Sequence, residues 1–123
     1  MSRPNHFEIP VDDPDRAEKF YATVFGWNFQ RFDGAPAYYG LATTGPDEET
    51  PGINGALFQR NADAETTLTM GVDSIESSKA AILAGGGALV LDKTAVPGMG
   101  WFATFRDTEG NQFGIFTNDP GAA

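Results

Sequence analysis

The chain has 123 residues, with 17 acidic and 8 basic side chains, a net charge of −9 and no cysteine. That charge, without any Lys/Arg cluster, argues against nucleic-acid and anionic-membrane binding, which both need positive surface. Lack of cysteine excludes disulfides, thiolate metal sites and a Cys nucleophile.

In chain order, Phe7, Ile9 and Val11 alternate with His6, Glu8 and Pro10, the period of a strand with one apolar face. Asp13-Pro14 reads as a helix start, Asp13 capping free N–H groups and Pro14 occupying the first turn. Ala17, Phe20, Tyr21, Val24 and Phe25 follow at helical spacing, and Gly26 is expected to close the helix with positive φ. Strands are predicted at Trp27 to Phe32, Ala37 to Thr43 and Ile53 to Gln59, with an exposed loop from Thr44 to Gly52. Arg60 to Thr66 is polar and aperiodic and reads as a linker. Leu68, Met70 and Val72 then alternate with Thr67, Thr69 and Gly71. Asp73 is the expected cap of a second helix, Ile75 to Ala84, with Glu76 bonding back. Gly85-Gly86-Gly87 stops that helix. Strands follow at Ala88 to Lys93, Trp101 to Arg106 and Gln112 to Thr117, the last two joined by a turn at Asp107 to Asn111.

The order β-α-β-β-β therefore occurs twice. Val11-Asp12 aligns with Val72-Asp73 and Gly26 with Gly87 at an offset of 61, and Gly55 with Gly114 at a similar one. The prediction is one α+β domain over 1–123, with a module at about 4–60, a linker at 60–66 and a second module at about 67–118. The two tandem βαβββ modules should form a curved mixed sheet around a cup, with the helices outside.

The phrases His6-Phe7-Glu8-Ile9-Pro10-Val11-Asp12-Asp13, Phe20-Tyr21, Phe25-Gly26-Trp27, Gly71-Val72-Asp73, Ala84-Gly85-Gly86 and Phe105-Arg106-Asp107-Thr108-Glu109-Gly110-Asn111 stand in this order. In that order the chain resembles the vicinal oxygen chelate superfamily of glyoxalases, bleomycin-resistance proteins and extradiol dioxygenases. Within it, the chain is most similar to the branch described as predicted enzymes related to lactoylglutathione lyase. The resemblance implies a small-molecule site and, in metal-dependent members, four ligand positions. These fall here on His6, on Gly55 (or Asn54 in another register), on Thr67 and on Gly114. Gly and Thr offer no adequate donor set, so neither a metal nor another cofactor is expected.

His6 and Glu8 share a strand face and are the candidate catalytic pair, read as acid and base, as a structural polar pair, or as holders of a metal together with water. The candidate ligand-binding residues are Asn54, Thr67, Thr69, Trp101, Phe105 and Phe116. Trp101 and Phe105 alternate with Phe102 and Thr104, so one pair or the other walls a pocket, or both pack in a core. Tyr38 and Tyr39 are equally ambiguous. Val96 to Gly100 is either a lip over the cup or a plain loop, and no Ser has a spaced His partner for a triad. Three functions remain open: a lyase or isomerase without a tight metal, a non-catalytic sequestering or resistance protein, and a metal-dependent lyase or dioxygenase with a non-standard site. A cytoplasmic homodimer with a small-molecule ligand, and with neither nucleic-acid nor membrane partners, completes the expectation.

Overall fold

The computed structural model describes residues 1–123. The observed order is β1 (Pro4–Val11), α1 (Pro14–Phe25), β2 (Asn28–Arg31), β3 (Tyr39–Thr43), β4 (Asn54–Gln59), β5 (Thr67–Gly71), α2 (Ile75–Ala84), β6 (Ala88–Val96), β7 (Gly100–Arg106) and β8 (Gln112–Asn118). This is the βαβββ unit occurring twice. Two compact units divide the chain, one formed by residues 5–66 and the other by 67–123 with the first four residues. No helix is long and apolar enough to cross a membrane.

In the first unit the strand order is β2-β3-β4-β1. β1 runs parallel to β4, and β4–β3 and β3–β2 are antiparallel. The ladder sets His6 opposite Asn54, Phe7 opposite Gly55 and Glu8 opposite Ala56. Residues opposed in a ladder share a face. Phe7, Gly55, Ala42 and Phe29 therefore stand on one side, and Glu8, Ala56 and Leu41 on the other. The Phe7 side faces α1, where Phe7 meets Trp27 at 5.3 Å between ring centroids and Trp27 stacks on Tyr21 at 4.8 Å. Gly55 makes room for this packing: a Cβ there would lie 2.4 Å from the Phe7 ring.

Asp13 caps α1 by accepting a hydrogen bond from the Arg16 backbone N–H at 3.1 Å. Gly26 ends it at φ 77°, ψ 17°, a left-handed conformation that glycine adopts without strain. Of the apolar positions that give α1 its period, Ala17 and Tyr21 are half-buried, while Phe20, Val24 and Phe25 are more than half exposed.

In the second unit the order is β5-β8-β7-β6, with β5 parallel to β8 and the other pairs antiparallel. Its core is Ile75, Ala103, Phe105 and Ile115, with Met70, Val72, Ile82, Trp101 and Phe113 packed against it. The helix cap differs from expectation. Because α2 begins at Ile75, the capping residue is Ser74, whose hydroxyl accepts from the Ser77 N–H at 3.2 Å. Glu76 then falls short of a capping-box partner and instead pairs with Lys93 at 2.6 Å. β6 runs three residues further than predicted, so the stretch before Gly100 shrinks to a tight turn closed by Met99 N–H on the Val96 carbonyl. That turn is pinned to the chain's last residues: Gly98 N–H donates to the Ala122 carbonyl, and Asp119 N–H to the Met99 carbonyl, each at 2.9 Å. Asp107 organises the β7–β8 turn by accepting from the N–H groups of Glu109 and Asn111 at 2.8 and 2.9 Å.

Candidate functional site

Three side chains from two strands of the first unit meet on the face away from α1. His6 and Glu8 come from β1, two residues apart, and Tyr39 opens β3. The Tyr39 hydroxyl donates to Glu8 Oε2 at 2.5 Å, and the phenol oxygen itself lies 3.1 Å from His6 Nε2. The direct separation of His6 Nε2 from Glu8 Oε2 is 3.8 Å, too long for a hydrogen bond. The phenol is thus the bridge between imidazole and carboxylate. Burial, reinforced by the adjacent Glu8 charge and hydrogen bond, holds the Tyr39 phenol well above its ordinary pKa, so it remains protonated. His6 and Glu8 are about one-third exposed, at 29% and 32%. They are anchored yet reachable.

The neighbouring Tyr38 goes to the opposite face, as strand alternation requires. Its ring lies over Gly40, where a Cβ would come within 2.3 Å of the Tyr38 hydroxyl oxygen. That hydroxyl donates to Glu18 of α1 at 2.6 Å, and Arg31 ties the same carboxylate and that of Asp15. The adjacent tyrosines therefore divide between tethering the helix and joining the His6 cluster. Alternation along the chain leaves Tyr38 and Tyr39 equally eligible for either face. The parity of Tyr39 with Glu8 follows from the ladder Tyr39–Phe58–Pro10, which depends on two registers that alternation within one strand does not specify.

Asn54 stands opposite His6, sharing its face. Its Oδ1 accepts from the Thr44 N–H at 2.9 Å, which fixes the amide orientation and turns its NH2 away from Thr44. Gly55, expected at a position facing His6, is instead on the Phe7 side, because the register aligns Asn54 and not Gly55 with His6. The internal match changes accordingly. Thr69 opposes Gly114 in the second unit as Glu8 opposes Ala56 in the first, so Gly114 corresponds to Ala56 and not to Gly55.

In the second unit Thr67 and Thr69 are buried on β5 at 8% and 9% exposure. Thr69 shares a face with Gly114, and Phe116, opposite Gly71 and Phe102, lies on that same face. Trp101 and Phe105, expected as pocket lining, are on the other side. Phe105 is fully buried in the α2-side core, and Trp101 packs against that core with its indole N–H on Asp119 at 3.0 Å. Phe102 takes the parity expected of them. Trp101, Ala103 and Phe105 alternate with Phe102 and Thr104, and the Phe105–Phe113 and Ala103–Ile115 pairings commit the odd-numbered set to the core.

The divalent metal of the family's metal-dependent members does not fit these residues. No group of three or more His, Asp or Glu side chains is placed to hold an ion. His6 Nε2 and Glu8 Oε2 are both engaged by Tyr39, Asn54 Oδ1 by Thr44, and the position of Gly114 brings no side chain. A catalytic divalent site needs about three protein ligands together.

Comparison with known proteins agrees with this architecture. Residues 3–38 match the family described as bleomycin resistance protein-like N-terminal. A glyoxylase-like domain-containing protein of Didymella fabae is 33% identical over 115 residues, covering 89% of both chains. Among solved structures, methylmalonyl-CoA epimerase from Mycobacterium tuberculosis superposes with TM-score 0.70 at 14% identity, over 95% of this chain and 88% of that one. A hypothetical protein from Bacillus halodurans C-125 gives TM-score 0.73 at 15% identity, over 100% and 99%. At such identities the structural matches speak for the fold alone. With the repeated βαβββ unit and a one-third-identical glyoxylase-like relative along nearly its whole length, the chain belongs to the vicinal oxygen chelate superfamily, in its glyoxalase and bleomycin-resistance-like part.

Proposed function

We propose that this protein binds a small organic molecule against the His6 face of its first module and acts on it by proton transfer, as a lyase or isomerase without a tight metal. The observation that carries the proposal is the linked His6–Tyr39–Glu8 chain, partly open to solvent. An imidazole linked through a phenol to a carboxylate can accept a proton from a bound molecule and return it. Leu41, Asn54 and Phe58 share that strand face and supply apolar contact and a hydrogen-bond donor. Within the second module, Thr67, Thr69 and Phe116 remain the candidate ligand-contact residues of that module's own strand face; Trp101 and Phe105 do not. A homodimer belongs to the same proposal, supported by the exposed Phe20, Val24 and Phe25 of α1.

The test begins with a thermal-shift screen of small oxo acids, hydroxyketones and aromatic acids. A ligand at a hundred times its Kd adds about 2.7 kcal/mol of stability. Each stabilising compound is then incubated with protein in D2O and followed by proton NMR. Exchange or turnover that falls about 100-fold or more in His6→Ala, with the thermal shift retained, is the expected result. Stabilising ligands that never exchange or react would refute proton transfer and leave a sequestering protein.

A further inference from the structure

Resting on the proton-transfer reading above, we propose that Tyr39 is a positioning residue: it holds the His6 imidazole with its hydrogen on Nε2 and leaves Nδ1 as the nitrogen that meets the ligand.

The assignment follows from counting hydrogens. A phenol has one hydrogen to donate, and a carboxylate has none. The Tyr39–Glu8 separation of 2.5 Å is that of a charge-assisted O–H···O bond, so the Tyr39 hydrogen is committed to Glu8. The contact between His6 Nε2 and the same phenol oxygen, at 3.1 Å, then needs a hydrogen from the ring. A neutral imidazole carries only one N–H, so Nδ1 keeps a free lone pair. No hydrogen bond besides that to Tyr39 engages the His6 imidazole, and Nδ1 is the ring nitrogen left for a ligand.

The arrangement has a mechanical benefit. Proton uptake at Nδ1 leaves the Nε2–H···Oη link unchanged, since both nitrogens are donors in the imidazolium. The ring therefore gains and releases a proton without turning. Glu8 stands 3.8 Å from Nε2, and its hydrogen-bond acceptance from Tyr39 keeps it from displacing the ring. The second unit has Thr67 and Thr69 at the positions equivalent to His6 and Glu8, so the device occurs once per chain.

His6 is the chain's single histidine, which makes the test direct. Long-range 15N–1H correlation of the imidazole, without ligand and at a pH where the ring is neutral, identifies the protonated nitrogen. The wild type is expected to show an N–H-type Nε2 and a lone-pair-type Nδ1. Tyr39→Phe removes the acceptor, and its two nitrogens move toward the averaged shifts of exchanging tautomers. Glu8→Gln can turn its NH2 toward the phenol oxygen, releasing the Tyr39 hydrogen to Nε2, and the majority tautomer shifts to Nδ1–H. This second variant keeps the side-chain shape, so it carries the test should Tyr39→Phe fail to fold. A wild-type ring protonated on Nδ1 overturns the proposal, as does a wild-type pattern that persists in the folded variants. Because the readout needs no substrate, failure of the functional reading appears separately, as turnover indifferent to His6→Ala with the tautomer pattern intact.

Discussion

Replacing Gly26 with Ala isolates the cost of one backbone conformation. Gly26 closes α1 at φ 77°, and its N–H donates to the Ala22 carbonyl at 3.0 Å. A Cβ built there meets nothing within 4 Å, so the substitution introduces no clash. What remains is the left-handed backbone, which costs an L-residue about 1–2 kcal/mol. Loss of glycine's freedom in the unfolded chain offsets about 0.4–1 kcal/mol of that. The net expectation is about 1 kcal/mol of destabilisation. For a chain of this length that corresponds to a fall in Tm of about 4 °C. Urea unfolding should show a lower midpoint at unchanged slope, since the exposed area on unfolding is the same. Gly26→Asn should lose less than Gly26→Ala, because Asn tolerates the left-handed region better. An Ala variant as stable as wild type, or an Asn variant less stable than the Ala one, would refute the reasoning.

Phe105→Ala should cost about 3–5 kcal/mol by urea unfolding, as for a fully buried aromatic, and Phe102→Ala clearly less; a loss in Phe102→Ala as large or larger would refute this assignment of the two faces of β7. Acid should destabilise the fold. Hydrogen bonds from the Asn111 and Glu109 N–H groups hold the Asp107 carboxyl below its ordinary pKa, and Lys79 does the same for Asp92. A depressed folded-state pKa gives stability that is present above the unfolded value, about 3.9, and is lost as pH falls through the folded one. Tm should therefore drop steeply below about pH 4, and less steeply in Asp107→Asn; an identical acid limb in both would exclude Asp107 from the effect. Light scattering should find a homodimer, and Phe20→Ser with Phe25→Ser should shift it toward monomer; a wild-type monomer of 13.1 kDa at micromolar concentration removes the dimer.

Much of the fold is legible in the chain because local rules decide it. The alternation from His6 to Val11, the Asp13-Pro14 start and the Gly26 stop each depend on residues close in sequence. Where the reading departs from the structure, a pairing across strands decides the matter. Alternation shows that His6 and Glu8 share a face, but only the β1–β4 register shows that Asn54 joins them and Gly55 does not. It likewise splits β7 into two sets without saying which one meets Ile115 and Phe113. Tyr39 reaches His6 from 33 residues away through two ladders. The Asp73 cap failed for a smaller reason: helix starts shift by a residue when adjacent Asp and Ser can both serve.

The seat of the Phe7 ring on Gly55 has a consequence for how sequences of this kind can diverge. With a Cβ at position 55 as near as 2.4 Å to that ring, the two positions are not free to change independently. A side chain at 55 demands a smaller residue at 7, and an aromatic at 7 demands glycine at 55. Aligned relatives should therefore show the two positions covarying, with Phe or Tyr at 7 accompanied by Gly at 55 and Ala or Ser at 55 accompanied by an aliphatic at 7. The same linkage fixes the register of β1, because a one-residue slip would move Phe7 off its seat on Gly55 while turning His6 to the other side of the sheet.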